Sequence, residues 1–384
     1  MTALMEVPFT RPAIEGADIE AVVETLRSGW ITTGAASSRL EDEFRRISGA
    51  PHALALSSGT AALHLALEAW DVGEGDEVIL PALTFGACAA VVLEAGATPV
   101  LADISEADLT IDPASVERLM TPRTRVIMPV HYGGQPARMD RISEIASAGH
   151  LRILEDAAHA PGARYDGVPV GSLGDAAAFS LYATKNVTSG EGGVLTANDE
   201  EFIERARMLS LHGMSRDAWK RYERGGSWRY EVVERGYKYN LSDILAALAA
   251  SQAQRLLEMN EERRRLAGLY GELLAGVDVV EPLVCRPEVE HAWHLFVIKL
   301  RLEQLSIDRA RFIELLRERG VGTSVHFIPI HHHPAYSELR RGDLSATDHV
   351  FERLISLPLY AGLSEAEVRY VAQSVAEIAA EHRR

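Results

Sequence analysis

"AAAFSLYATKNVTSGEGGVLT", Ala176 to Thr196, holds two short apolar runs with a single lysine between them. Ala176–Phe179 and Gly193–Thr196 read as buried strands, apolar runs of strand length bounded by turn residues. Lys185 stands in the loop that leaves the first run, among small and hydroxylated residues, with the next charge at Glu191. Gly190, Gly192 and Gly193 allow tight backbone turns nearby. One ammonium in a loop is ordinarily a solvated surface charge. Its meaning depends on what other strand ends bring to it.

Upstream, β-branched or apolar runs at Ala53–Leu56, Val78–Leu80, Thr98–Asp103, Arg125–Val130 and Leu151–Glu155 add five strands. Helical patterns alternate with them at Ala61–Trp70, Ala87–Ala95, Met139–Ala148 and, further on, Glu200–Leu211. Alternating strands and helices predict right-handed crossover units and an α/β fold, a mostly parallel seven-stranded sheet between two helical layers. Ligands of such sheets sit beyond the C-terminal ends of the strands. A long helical pattern then runs from Ser242 towards Tyr270. It is followed by a strand (Ala292–Leu300), a helix (Arg309–Arg319), a strand (Thr323–Val325) and a last helix (Glu365–Ala379). The expected organisation is a large domain over 1–255 and a smaller C-terminal α+β domain over 256–384. Before residue 50 the pattern gives one helix, Ala17–Ser28, and the loop Gly29–Gly34, an arm suited to closing over a site or a partner subunit.

The totals narrow the function. The 384 residues carry a net charge of −16, which argues against nucleic-acid or anionic-membrane binding because phosphate needs a positive footprint. Two cysteines, Cys88 and Cys285, cannot build a disulfide framework and fit a reducing cytoplasm. The N-terminus has no apolar signal core, and the longest uncharged run, Val78–Leu93, is too short for a membrane span.

Two motifs supply partners for the lysine. Ser57-Ser58-Gly59-Thr60-Ala61-Ala62 lies where a strand ends and a helix begins, so small residues could let backbone N–H groups approach an anion at the helix N-terminus. The same serines could equally serve as a helix cap. Neither the P-loop nor the dinucleotide glycine fingerprint is present. The second motif, Leu151–His159, delivers Glu155 and Asp156 at a strand end, and alternation puts only one of them on a given face. A capped helix with a satisfied histidine explains these residues as well as a site does. Further metal ligands at usable spacing are missing. A lysine, a phosphate cradle and a fixed carboxylate together form the set that pyridoxal 5'-phosphate requires.

At this point the chain resembles the DegT/StrS family of nucleotide-sugar aminotransferases, pyridoxal phosphate enzymes of fold type I. The resemblance rests on "GWITTG" (Gly29–Gly34), "SSGTAALHLAL" (Ser57–Leu67), "EDAAHA" (Glu155–Ala160), "SLYATKN" with "GEGG" (Ser180–Gly193), "GYKYNLSD" (Gly236–Asp243) and "SLPLY" (Ser356–Tyr360). It implies that Lys185 holds the cofactor covalently and moves protons during the reaction, and that Asp156 pairs with the pyridine nitrogen. It further implies that His159 lies beside the ring, that Phe85 covers it, and that Gly59, Thr60, Ala61 and Ser180 hold the phosphate. Asn240 would reach the phosphate of the other subunit in a homodimer with shared sites. Ala35-Ala36 stands where relatives often read Gly-Pro, which bears on the shape of that loop.

For the substrate, the resemblance and local charge name Thr32, Arg229 and His326. From His212 to Asn240 the chain has seven basic residues against four acidic ones, a local excess able to meet a diphosphate or simply to be solvated. Arg229 stands between Trp228 and Tyr230. Val325–Tyr336 carries four histidines, but His331–His333 are consecutive and cannot share one orientation, so a metal site made from them alone is not expected. The resemblance implies amine transfer from L-glutamate to a nucleotide-linked keto sugar, at C4 of a 4-keto-6-deoxy sugar, in a cytoplasmic enzyme. The alternatives are transfer at C3 and a non-catalytic regulator on the same fold. A sugar dehydratase would carry histidine in place of Lys185, and a nicotinamide dehydrogenase would need the missing glycine fingerprint.

Overall fold

The computed structural model describes residues 5–215 and 230–384. Its main sheet is built from β1 (His52–Leu56), β2 (Glu77–Pro81), β3 (Thr98–Ala102), β4 (Thr124–Ile127) and β5 (Arg152–Asp156). Two two-residue strands, β6 (Arg164–Tyr165) and β7 (Val168–Pro169), precede β8 (Ala176–Ser180) and β9 (Gly193–Ala197). Further on come β10 (Val280–Pro282), β11 (Val289–Glu290), β12 (Phe296–Leu300), β13 (Arg340–Arg341) and β14 (Leu354–Leu357). The main sheet has the order β1-β9-β8-β5-β4-β2-β3-β13. Only β9 runs antiparallel to its neighbours.

All seven expected strands are in this sheet, and β13 adds an eighth. Arg340 and Arg341 pair in parallel with Val100 and Leu101, so a segment from beyond residue 256 forms the sheet edge. The Arg340 guanidinium bonds to the buried Glu77 at 2.8 Å, which holds this short strand in place.

Side-chain alternation sorts the sheet residues onto two faces. Leu154, Ala176, Ala178 and Leu195 pack with the helices Gly59–Ala69, Ala87–Glu94 and Glu200–Leu209. On the other face, Ala53, Ala55, Ala177, Phe179 and Val194 pack with helices Ala35–Ser48 and Asp243–Gln254. Ala35–Ser48 is a second N-terminal helix where the sequence reading had one. Ala36, Leu40, Phe44 and Ile47 form its buried stripe.

The long pattern from Ser242 is two helices, Asp243–Gln254 and Leu256–Leu274, broken at Arg255. Strands β10, β12 and β14 make a separate antiparallel sheet, packed with the helices Leu256–Leu274, Arg309–Glu318 and Glu365–Glu381. The expected strand at Thr323–Val325 reduces to one bridge, Ser324 with Ser356. The strand expected from Ala292 starts at Phe296, because Trp293 adopts φ 49° and cannot continue an extended run. The N-terminal arm belongs with this second core. Val7 is fully buried in it, and the chain there is bonded to Gly320 and Gly322. No helix among the described residues is long and apolar enough to cross a membrane.

Candidate active site

Ser180 pairs with Gly193, and Gly193 pairs with Leu56, so the ends of β8, β9 and β1 lie side by side. This register brings the turn Ser57–Thr60 against the start of the Lys185 loop. Glycine makes the approach possible. A Cβ on Gly193 would sit 2.3 Å from the Ser58 carbonyl carbon, and one on Gly59 would sit 3.1 Å from Ser180 Cβ. Ser58 Oγ accepts the Ala61 N–H at 3.0 Å. The serine is therefore a cap, and Ala61, expected in the cradle, is engaged there and does not line the cavity. The Gly59 and Thr60 N–H groups, at the positive end of the helix, make no backbone or side-chain bond among the described residues and line the cavity.

Alternation also separates the paired acids. Glu155 is fully buried on the other face, where it accepts N–H groups of Gly171, Leu173 and Gly174 and bonds His131 at 2.9 Å. His131 Nδ1 accepts the Ala137 N–H, so its proton is on Nε2 and points to Glu155. Glu155 is structural. Asp156 faces the cavity, with Oδ1 accepting the Ala158 N–H and Oδ2 accepting the Cys88 thiol at 3.0 Å. Burial first, and then the Asp156 charge, push the Cys88 thiol well above its usual range, so it stays a donor.

These groups surround a cavity of about 620 Å³. Lys185, Gly59, Thr60, Phe85, Asp156, His159, Ser180 and His326 all line it. The Lys185 ammonium has no hydrogen bond or ion pair among the described residues. Burial lowers its pKa from 10.5 to about 8, partly opposed by Asp156. Asn186, beside it, is fixed by donating to Asn260 Oδ1 and Ala292 O, both at 2.8 Å.

Among the cavity residues that sequence reasoning missed are His294, Phe9, Phe327 and Glu191. With Asn186 oriented by its two donor bonds, its oxygen accepts from His294 Nδ1, leaving His294 Nε2 as an acceptor. His159 is the opposite tautomer, because its Nδ1 accepts the Gly133 N–H and its proton must be on Nε2. Burial, reinforced by nearby Lys185, keeps both imidazoles neutral. His326 bonds Ser356 Oγ at 2.8 Å and stacks on Phe9 at 5.5 Å, and burial lowers its pKa to about 4.

Besides Ala61, two expected site residues are not brought to this cavity. Thr32 is exposed on the Trp30–Gly34 loop. Asn240 lies beside the end of β1, bridged to Leu56, and donates to Thr33 Oγ1. Asp243 explains why the two motifs occur together: its buried carboxylate accepts from the N–H groups of Gly34, Ala36 and Ser37 and from the Ser37 hydroxyl. Arg229 lies outside the described residues.

A buried lysine without an ion pair among the described residues, a buried carboxylate and an N–H pair at a helix N-terminus fit pyridoxal phosphate. They define an aminotransferase of the pyridoxal phosphate class. The chain belongs to the DegT/DnrJ/EryC1/StrS aminotransferase family, whose model matches residues 12–376. It is 45% identical over 377 residues to the spore coat polysaccharide biosynthesis protein SpsC of Bacillus subtilis, covering 97% of each chain. Spr1654 from Streptococcus pneumoniae, solved in its PLP form, superimposes with TM-score 0.91 at 33% identity, over 98% of this chain and 99% of that one. DesV of S. venezuelae matches with TM-score 0.86 at 35% identity, over 94% of each. The protein is a sugar aminotransferase of fold type I, and its cofactor is pyridoxal phosphate.

Proposed function

We propose that this enzyme moves an amino group from L-glutamate to C4 of a nucleotide-linked 4-keto-6-deoxy sugar. The observation that carries the proposal is the buried Lys185 ammonium in one cavity with Asp156 and the Gly59 and Thr60 N–H groups. When bound, pyridoxal phosphate supplies an aldehyde that combines with amines and a ring that accepts electrons. Every other part belongs to the chain. The Gly59 and Thr60 N–H groups, with Ser180, bind the phosphate. Asp156, oriented by Cys88 and the Ala158 N–H, would pair with the pyridine nitrogen and keep it protonated. His159, with its proton on Nε2, and Phe85 line the same cavity and would hold the ring there. Lys185, with its pKa near 8, carries the proton to and from the substrate carbon that gains or loses the amine.

A cavity of this size holds the cofactor and one partner at a time, so the two substrates alternate and ping-pong kinetics follow. Phe9, His326 and Phe327 form one wall of the cavity, and the segments Val325–Tyr336 and His212–Tyr222 resemble those of C4-acting members. The enzyme works as a cytoplasmic homodimer. Trp30, Ile31, Val232 and Val233 are between 43% and 61% exposed, and Thr32 and Asn240 do not line this chain's own cavity. A partner would cover the apolar groups and receive Asn240 at its phosphate site.

The test is spectroscopic. L-glutamate bleaches the visible band of the holoenzyme, and a nucleotide-linked 4-keto-6-deoxy sugar restores it with an amine at C4 of the product. No bleaching returns the chain to the role of a regulator, and an amine at C3 refutes the position.

A further inference from the structure

Three side chains outside the cavity converge on one point. His331 Nε2 and His332 Nε2 each lie 2.8 Å from the same oxygen, Asp348 Oδ1. The three ligand atoms fall within 4.8 Å of one another. Consecutive histidines in an extended chain point apart. Here the 3₁₀ turn Ile330–His332 puts two of them on one side, and the third donor comes from the helix Ser345–Phe351. His333 is turned away, its ring perpendicular to that of Tyr336.

We propose that His331, His332 and Asp348 bind a borderline divalent transition ion such as Zn²⁺, with water completing a tetrahedral set. Two imidazole nitrogens and a carboxylate oxygen suit Zn²⁺, whereas Mg²⁺ and Ca²⁺ take oxygen donors throughout. The site is prepared on one side and open on the other. The His331 side chain is only 9% exposed, while those of His332 and Asp348 are 36% and 52% exposed, which leaves the ion a path in. His331 Nδ1 is buried without a partner, so packing rather than a hydrogen bond at that edge directs Nε2 to Asp348.

The position gives the ion a task. The 3₁₀ turn begins three residues after Phe327, which with His326 walls the cavity. The helix that carries Asp348 is clamped at its start, where the Ala346 and Thr347 N–H groups and the Thr347 hydroxyl donate to Asp103, next after β3. A bound ion cross-links the cavity wall to an element fixed on the main sheet. It takes no part in amine transfer.

The test uses the cofactor-loaded enzyme, titrated with Zn²⁺ in a calorimeter and heated with and without the ion. One ion binds per chain and raises Tm by several degrees. His332→Gln and Asp348→Asn lower the affinity at least ~10-fold, because each removes a direct ligand. His333→Gln, on the same turn but facing elsewhere, leaves it unchanged. Absence of saturable one-per-chain binding overturns the proposal, as does equal affinity in wild type, His332→Gln and Asp348→Asn.

Discussion

Cys88 donates its thiol hydrogen to Asp156, with Sγ 3.0 Å from Oδ2, at a fully buried side chain. The other oxygen accepts the Ala158 N–H, so the chain holds each carboxylate oxygen by one donor and leaves the remaining lone pairs for the cavity. Replacing Cys88 with valine, a slightly larger apolar side chain, removes the donor. A hydrogen bond to a charged group contributes about 1.5–3 kcal/mol. Cys88→Val is therefore expected to bind the cofactor about tenfold more weakly and to shift its visible band. Cys88→Ser, which restores a donor, stays close to wild type in a fluorescence titration of the apoenzyme.

Gly193 is the residue on which the cradle depends. A methyl group there would lie 2.3 Å from the Ser58 carbonyl carbon and 2.5 Å from the Gly59 nitrogen, both backbone atoms with nowhere to go. Gly193→Ala must displace the phosphate-binding turn, and turnover is expected to fall about 100-fold, as for a misplacement near 1 Å. Phosphate-free pyridoxal would be affected much less than the phosphorylated form, and a binding comparison of the two checks this.

The Asp243 carboxylate stabilises the start of helix Ala35–Ser48 with four donors from 207 or so positions away in sequence. Asp243→Ala leaves those donors buried and unmet, and a loss of about 3 kcal/mol in urea unfolding is expected. Asp243→Asn keeps one acceptor oxygen and should lose less.

This clamp also shows where the sequence was opaque. The stripe Ala36, Leu40, Phe44, Ile47 has helical spacing, yet no capping side chain precedes it, because the capping group is Asp243. A local reading sees only an uncapped loop. Strand β13 was hidden for a similar reason: two arginines carry no alternation, and Arg340 is held by Glu77 from the opposite half of the chain. The buried strands, by contrast, were legible as apolar runs, and Lys185, Asp156 and the Ser57–Thr60 turn were legible because strand ends in such a sheet converge. Cys88 and His294 were not. Each sits within an apolar or aromatic stretch, and only the fold shows what it faces.

The depressed pKa of Lys185 has a kinetic consequence. Only the neutral amine attacks the cofactor's aldehyde, and with a pKa near 8 about one lysine in ten is neutral at pH 7, against fewer than one in a thousand for an ordinary lysine. Lowering the pKa favours the neutral form, so the rate of covalent cofactor uptake by the apoenzyme should rise with pH and level off above about 8. Stopped-flow absorbance measures it. A rate that keeps climbing past pH 10 would mean the amine is not desolvated.

The covalent attachment itself decides the account. The holoenzyme is reduced with borohydride, digested, and the modified peptide is sequenced by mass spectrometry. The expected result is a single pyridoxyl group on Lys185, absent in Lys185→Ala, which keeps its fold and loses turnover. A pyridoxyl group on any other lysine, or wild-type turnover in Lys185→Ala, would contradict it.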